Sequence, residues 1–127
     1  MNPKEELFER FGKQLVELVR DKQINVIDGF LEMKGPFFNK YKDELSGLSP
    51  AQIEMINEMA VIWVDGTLHD MLFLLESSDW IKLRLQGEIT VLEDIREAER
   101  GDLQGYIYIW AEKYSTKRLI DYTNFIK

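Results

Sequence analysis

His69 is the single histidine of the chain, with Asp65 one helical turn before it and Asp70 directly after it. Histidine titrates near neutrality and a neighbouring carboxylate can orient its ring, so general acid-base work is chemically open at this point. No serine, lysine or glycine-rich phosphate loop stands in a recognisable catalytic arrangement with it. A metal site is the second possibility, because at about 100° per residue Glu54, Glu58, Asp65, His69 and Glu76 share an arc of roughly 60° on one helix. Helix-bundle metal sites project carboxylates and Glu-x-x-His pairs from facing helices, and this sequence has no such pair. One histidine cannot supply a three-histidine zinc site, and a carboxylate-only site would suit magnesium, manganese or calcium only with further oxygen ligands. These five residues read first as the polar stripe of a helix that faces water. The expectation is therefore no catalytic residue, no metal and no cofactor. The rival reading is a hydrolase or metal-dependent enzyme centred on His69 with Asp65 and Glu58.

Asp70 falls opposite that stripe, beside Trp63, Thr67, Phe73 and Leu74. If that face packs inward, Asp70 is a buried acid and needs a partner such as Lys82, Arg84 or Arg118, because an unpaired buried charge costs several kcal/mol. Tyr106, Tyr108, Trp110 and Tyr114 form an aromatic cluster that reads first as core, with Tyr106, Tyr108 and Trp110 as an alternative interface. The segment DGTLHD, Asp65 to Asp70, resembles the nucleophile motif of haloacid dehalogenase-like phosphatases. Trp63 occupies the position of that family's nucleophilic aspartate, and the segment lies in a helical pattern instead of at a strand end, so the resemblance implies no phosphoaspartate chemistry.

The elements that carry these residues can be read from caps and periodicity. Asn2-Pro3 with Glu5 and Glu6 starts a helix, and Leu7, Phe8, Phe11, Leu15, Leu18 and Val19 give it an apolar face to about Arg20. Ile24, Ile27 and Leu31 resume the spacing until Gly35-Pro36 interrupts it, and Phe37, Phe38, Tyr41 and Leu45 predict a short further helix. Ser49-Pro50-Ala51-Gln52 is a capping box that opens a long central helix over about 50–76. From Trp80 the period changes to two, so Ile81, Leu83 and Leu85 predict a half-buried strand, and Gln86-Gly87 predicts the turn of a β-hairpin with Ile89 to Leu92. Glu93 to Arg100 could be a short helix or a loop. Tyr106 to Trp110 alternates as a third strand would, and 111–122 looks helical. The prediction is a single α+β domain over 1–127: three to four N-terminal helices in 1–78, packed on a small antiparallel sheet in 79–127 that is followed by a C-terminal helix.

With 45% hydrophobic and 31% charged residues, the chain has the composition of a folded protein and not of a disordered one. It has no cysteine, and its N-terminal MNPKEELFERF lacks the apolar core of a signal peptide, so a cytoplasmic protein that does not enter membranes is expected. The net charge of −7 is concentrated, since no lysine or arginine occurs between Lys42 and Lys82. Such a field repels phosphate backbones, so nucleic acid is not an expected partner, and attracts basic proteins. The stripe Glu54, Glu58, Asp65, His69 and Glu76 would form a negative ridge about 33 Å long and is the predicted partner-binding face. LHDMLFLLESSDWIKL with the later LQGYIYIW resembles small bacterial proteins that carry a Leu-His-Asp helix before an Ile-Lys-Leu strand. That resemblance implies no activity for particular residues. The function expected is non-catalytic binding, as in an immunity-like acidic inhibitor of a basic protein. A structural homo-oligomer, such as a dimer, is a further alternative.

Overall fold

Asn2 accepts a hydrogen bond from the Glu5 amide at 2.9 Å while Glu5 reaches back to the Asn2 amide, so two orphan donors of the first turn are satisfied and helix α1, Pro3–Leu15, starts where its cap dictates. In the computed structural model, which describes residues 1–99 and 101–125, α1 runs without a break through a π-helical turn, Val16–Arg20, into α2, Asp21–Leu31. The buried row Val16, Arg20 and Ile24 recurs every fourth residue. In an ordinary α-helix such a row drifts by about 40° per step, and the wider π turn offsets that drift. Helix α2 closes with Met33 in the left-handed region, φ 65°, and with the Lys34 amide bonded to the Gly29 carbonyl at 2.7 Å. Gly35, at φ 90°, then turns the chain into α3, Pro36–Ser46, which leans on α2.

The Ser49 capping box forms as expected, with the Gln52 amide donating to Ser49 Oγ at 3.2 Å and the Ser49 amide to Gln52 Oε1 at 2.8 Å. Helix α4 spans Pro50–Ser77, 28 residues, and is the axis of the fold. Its end is held by Arg96, whose guanidinium donates to the Ser78 carbonyl at 2.9 Å and is itself fixed by Asp94, which puts a cation where the helix dipole is negative.

The sheet is a minimal hairpin. β1, Leu85–Gln86, pairs antiparallel with β2, Val91–Leu92, in the register Leu85 to Leu92 and Gln86 to Val91. The predicted turn at Gln86-Gly87 moves along the chain: the Gly87 amide donates to the Thr90 carbonyl at 2.8 Å, so Glu88 and Ile89 form the tip. A side chain at Gly87 would press on Leu7 at 3.1 Å, so α1 sits directly against the hairpin. Ile81 and Leu83 lie in the extended approach to β1, where the Leu83 carbonyl accepts from the Ile95 amide at 2.9 Å. The segment 93–100 contains one 3-10 turn, Ile95–Glu97, with Arg100 outside the described residues.

The predicted third strand is a helix. After a 3-10 turn, Leu103–Gly105, α5 covers Tyr106–Tyr114, so the expected helix over 111–122 is confined to its first residues. Tyr-Ile-Tyr-Ile-Trp satisfies a period of two, yet the buried positions are Ile107, Trp110 and Ala111, a helical spacing that brings α5 against α1 and α4. Aromatic packing decides between the two periods. The Trp110 ring lies 4.9 Å from Phe8, 5.9 Å from Phe11 and 5.3 Å from Tyr106, centroid to centroid. It rests on the backbone of α1 at Gly12, where an added Cβ would stand 2.3 Å from the ring. The architecture is thus α+β: a mainly helical chain around α4 with one small antiparallel hairpin. No helix among the described residues is long and apolar enough to cross a membrane.

Candidate functional site

Helix α4 turns Asp65 inward and Asp70 outward, the reverse of the sequence expectation. Val61, Asp65, Leu68 and Leu72 face inward, and Asp65 is only 2% exposed. It is not part of a solvent stripe, because Arg20 supplies what its carboxylate needs: Arg20 Nε donates to Oδ1 at 2.6 Å and Nη2 to Oδ2 at 3.3 Å. Tyr122 donates its hydroxyl proton to the same carboxylate at 2.6 Å. Burial, followed by the adjacent Asp65 carboxylate, pushes the Tyr122 phenol well above its ordinary range and keeps it a donor.

The rest of the Arg20 guanidinium is also engaged. Nη1 donates to Ser115 Oγ at 3.1 Å and lies near Asp21, and Nη2 donates to the Arg118 carbonyl at 3.0 Å. Asp21 in turn accepts from the Ser115 hydroxyl at 2.7 Å and the Thr116 amide at 3.0 Å. This network ties the segment after α5 across the α2/α4 junction. A cavity of about 480 Å³ opens beside it, lined among others by Asp65, Tyr108, Glu112 and Tyr122. Arg20 and Asp65, which both line it, are paired with each other, as befits a buried ion pair that must satisfy its donors and acceptors.

The other predicted partner-binding residues separate. Glu54 and Glu58 are exposed, as predicted. Glu76 turns toward the loop that follows Arg96, where its Oε1 accepts from the Gly101 amide and its Oε2 is buried without a hydrogen-bond partner among the described residues. The continuous ridge is therefore broken at Asp65 and again at Glu76. His69 is half-buried against Tyr108, ring centroids 6.0 Å apart, and its Nδ1 lies 3.0 Å from Asp70 Oδ1. Burial first, then the charges of Asp65 and Asp70, raise the Tyr108 phenol above its ordinary value.

Asp70, expected as a buried acid, has a side chain 84% exposed and needs no partner from Lys82, Arg84 or Arg118. Arg118 instead binds Asp28 at 2.5 Å and Asn57. His69 thus meets Asp70, while Asp65 is committed to Arg20 and Tyr122, so the constellation His69, Asp65 and Glu58 is not assembled. No group of three His, Cys, Asp or Glu among the described residues could hold a metal ion.

Of the alternative aromatic interface, Trp110 is fully buried and Tyr106 half-buried, so they belong to the core, and Tyr108 alone is partly open. The exposed aromatic surface lies elsewhere. On the outward side of α4, Met55, Met59, Trp63, Asp70, Phe73 and Leu74 are exposed, Trp63 by 66%. An apolar groove of about 420 Å³ adjoins them between α2 and α4, where Val19, Val26 and Ile27 face Ala60, Trp63 and Val64. Asp70 lies within this surface, Glu54 and Glu58 adjoin Met55 and Met59 at its N-terminal end, and no cation arises from α4 itself.

The sequence contained the signal for this surface. Trp63, Phe73 and Leu74 do group with Asp70 on one side of the helical wheel, and only the direction of that side was misassigned. Comparison with protein-family models, curated proteins and solved structures returns no match. The functional reading rests on this surface alone.

Proposed function

We infer that this chain is a non-catalytic interaction protein whose outward α4 face engages a basic protein partner, in the manner of an acidic, immunity-like inhibitor. The observation that carries the reading is the exposure of Met55, Met59, Trp63, Phe73 and Leu74 along one helix in a stretch without lysine or arginine. Aromatic residues and methionine are enriched where protein interfaces bury their centres, and scattered single exposures would not line one helix. Glu54, Glu58 and Asp70 supply the polar border, and their field selects and steers a partner of opposite sign. A net charge of −7 opposes self-association of the same face, which favours a basic partner over a homodimer. The hydrolase alternative keeps the His69–Asp70 contact at the surface.

The test is affinity capture from native extract at low and high salt, comparing wild type with the Glu58→Lys, Asp70→Lys double variant. The expected result is a basic protein retained by the wild type at low salt and lost by the variant. Capture of the same protein by both, with the same salt dependence, rejects this face.

A further inference from the structure

Gly66 is the one position of the outward α4 face that its own molecule does not explain. Glycine in a helix interior costs about 1 kcal/mol against alanine. Gly66 takes no left-handed conformation, and a Cβ built on it meets nothing within 4 Å. The same chain shows what an interior helical glycine can do, because Gly12 opens a notch on α1 that the Trp110 ring fills. At Gly66 an equivalent notch opens outward. Met59, Trp63, Gly66, Asp70 and Phe73 follow one another at alternating spacings of four and three, which is the spacing of a seam that a second helix can follow.

We propose that Gly66 is a seat for a partner helix: a basic amphipathic helix packs along α4, places a large apolar side chain over Gly66, and sets lysines or arginines beside Glu58 and Asp70. The proposal rests on the reading of α4 as a binding face and adds its occupant and closest point of approach. Without a Cβ the partner's side chain can reach the helix backbone, and Trp63 and Phe73 flank it on either side, which makes the centre of the face the most desolvated part of the contact. Charge decides the occupant. A second copy brings no cation to this face: packed parallel it sets Asp70 against its own equivalent, and packed antiparallel about Gly66 it sets Asp70 against the apolar Ile62, whereas a basic helix pairs with Asp70.

The experiment uses the full chain and labelled synthetic peptides of about five helical turns, with binding followed by fluorescence anisotropy. One peptide carries a leucine and tryptophan seam with lysine flanks, one has glutamate in place of lysine, and one is a scramble of the first with its amphipathic pattern destroyed. The lysine peptide is expected to bind saturably at 1:1, and the other two at least about tenfold more weakly. Gly66→Leu, which fills the seat, is expected to weaken the lysine peptide by about tenfold or more, while its melting temperature stays at or above that of wild type. Equal binding by the scramble, failure of the lysine peptide to bind, or indifference of binding to Gly66→Leu overturns the seat. So does concentration-dependent dimerisation that Gly66→Leu abolishes, which would make the occupant a second copy. Trp63→Lys separates the two levels: peptide binding lost in Trp63→Lys but retained in Gly66→Leu rejects the seat and keeps the face, and binding retained in both rejects the face as well.

Discussion

Asp65 and Asp70 exchange the roles that a helical wheel gives them, and the reason is a residue remote in sequence. A wheel places acids in water by default, but the cost of burying Asp65 is offset by Arg20 and Tyr122, neither of which periodicity within 50–76 could nominate. Removing one partner of such a pair leaves a buried charge, so Asp65→Ala should cost about 3–5 kcal/mol in urea unfolding, whereas Asp70→Ala should stay within about 0.5 kcal/mol. Equal effects would contradict the assignment of faces. Gly12→Ala should cost about 1–3 kcal/mol through its clash with Trp110, read in the same assay.

Glu9 gives a pH signature. Burial alone would raise its carboxyl, but hydrogen bonds from Lys113, Tyr114 and Trp110 together hold it below the ordinary value of 4.5. A depressed carboxyl contributes stability above its unfolded pKa and loses it as pH falls through the folded one. Glu9→Gln should therefore destabilise the protein at neutral pH, and the difference from wild type should shrink as pH falls below about 4.5. A pH-independent difference would mean that the carboxylate charge is not what Trp110 and Tyr114 require.

At the scale of elements, what was legible was local chemistry. Both capping boxes, the break at Gly35-Pro36 and the start and length of α4 follow from side chains that bond their own backbone neighbours, so no tertiary knowledge was needed. Ser49→Ala should cost about 1 kcal/mol in thermal or urea unfolding and Ser49→Asp little, since either oxygen accepts from the Gln52 amide. Tyr106 to Trp110 reads as a strand because the same five residues fit two periods, and Phe8, Phe11 and Gly12 on α1 decide for the helix. The central helix is legible in its bounds but not in which side faces the core, because it is apolar on nearly every side and few charges mark its orientation. Asp65 was the one that misled. The candidate site was legible as a group of residues, Trp63 with Phe73, Leu74 and Asp70, and not as a surface.

For the whole molecule, the distribution of charge matters more than its sum. The lysines and arginines lie at or before Lys42 and from Lys82 onward, leaving α4 to present apolar side chains bordered by acids. Association through such a face should slow as salt rises, since screening shortens the reach of Glu54, Glu58 and Asp70, while dissociation, set by the apolar centre, changes little. The most direct measurement of the central claim is photocross-linking in the native extract. A photoreactive phenylalanine is placed at Trp63 on the outward face or at Gln14, an exposed position of α1 beside β1. A basic protein cross-linked from position 63 and not from position 14 is the predicted result. Cross-links to that protein from position 14 alone, or equally from both, would contradict the account.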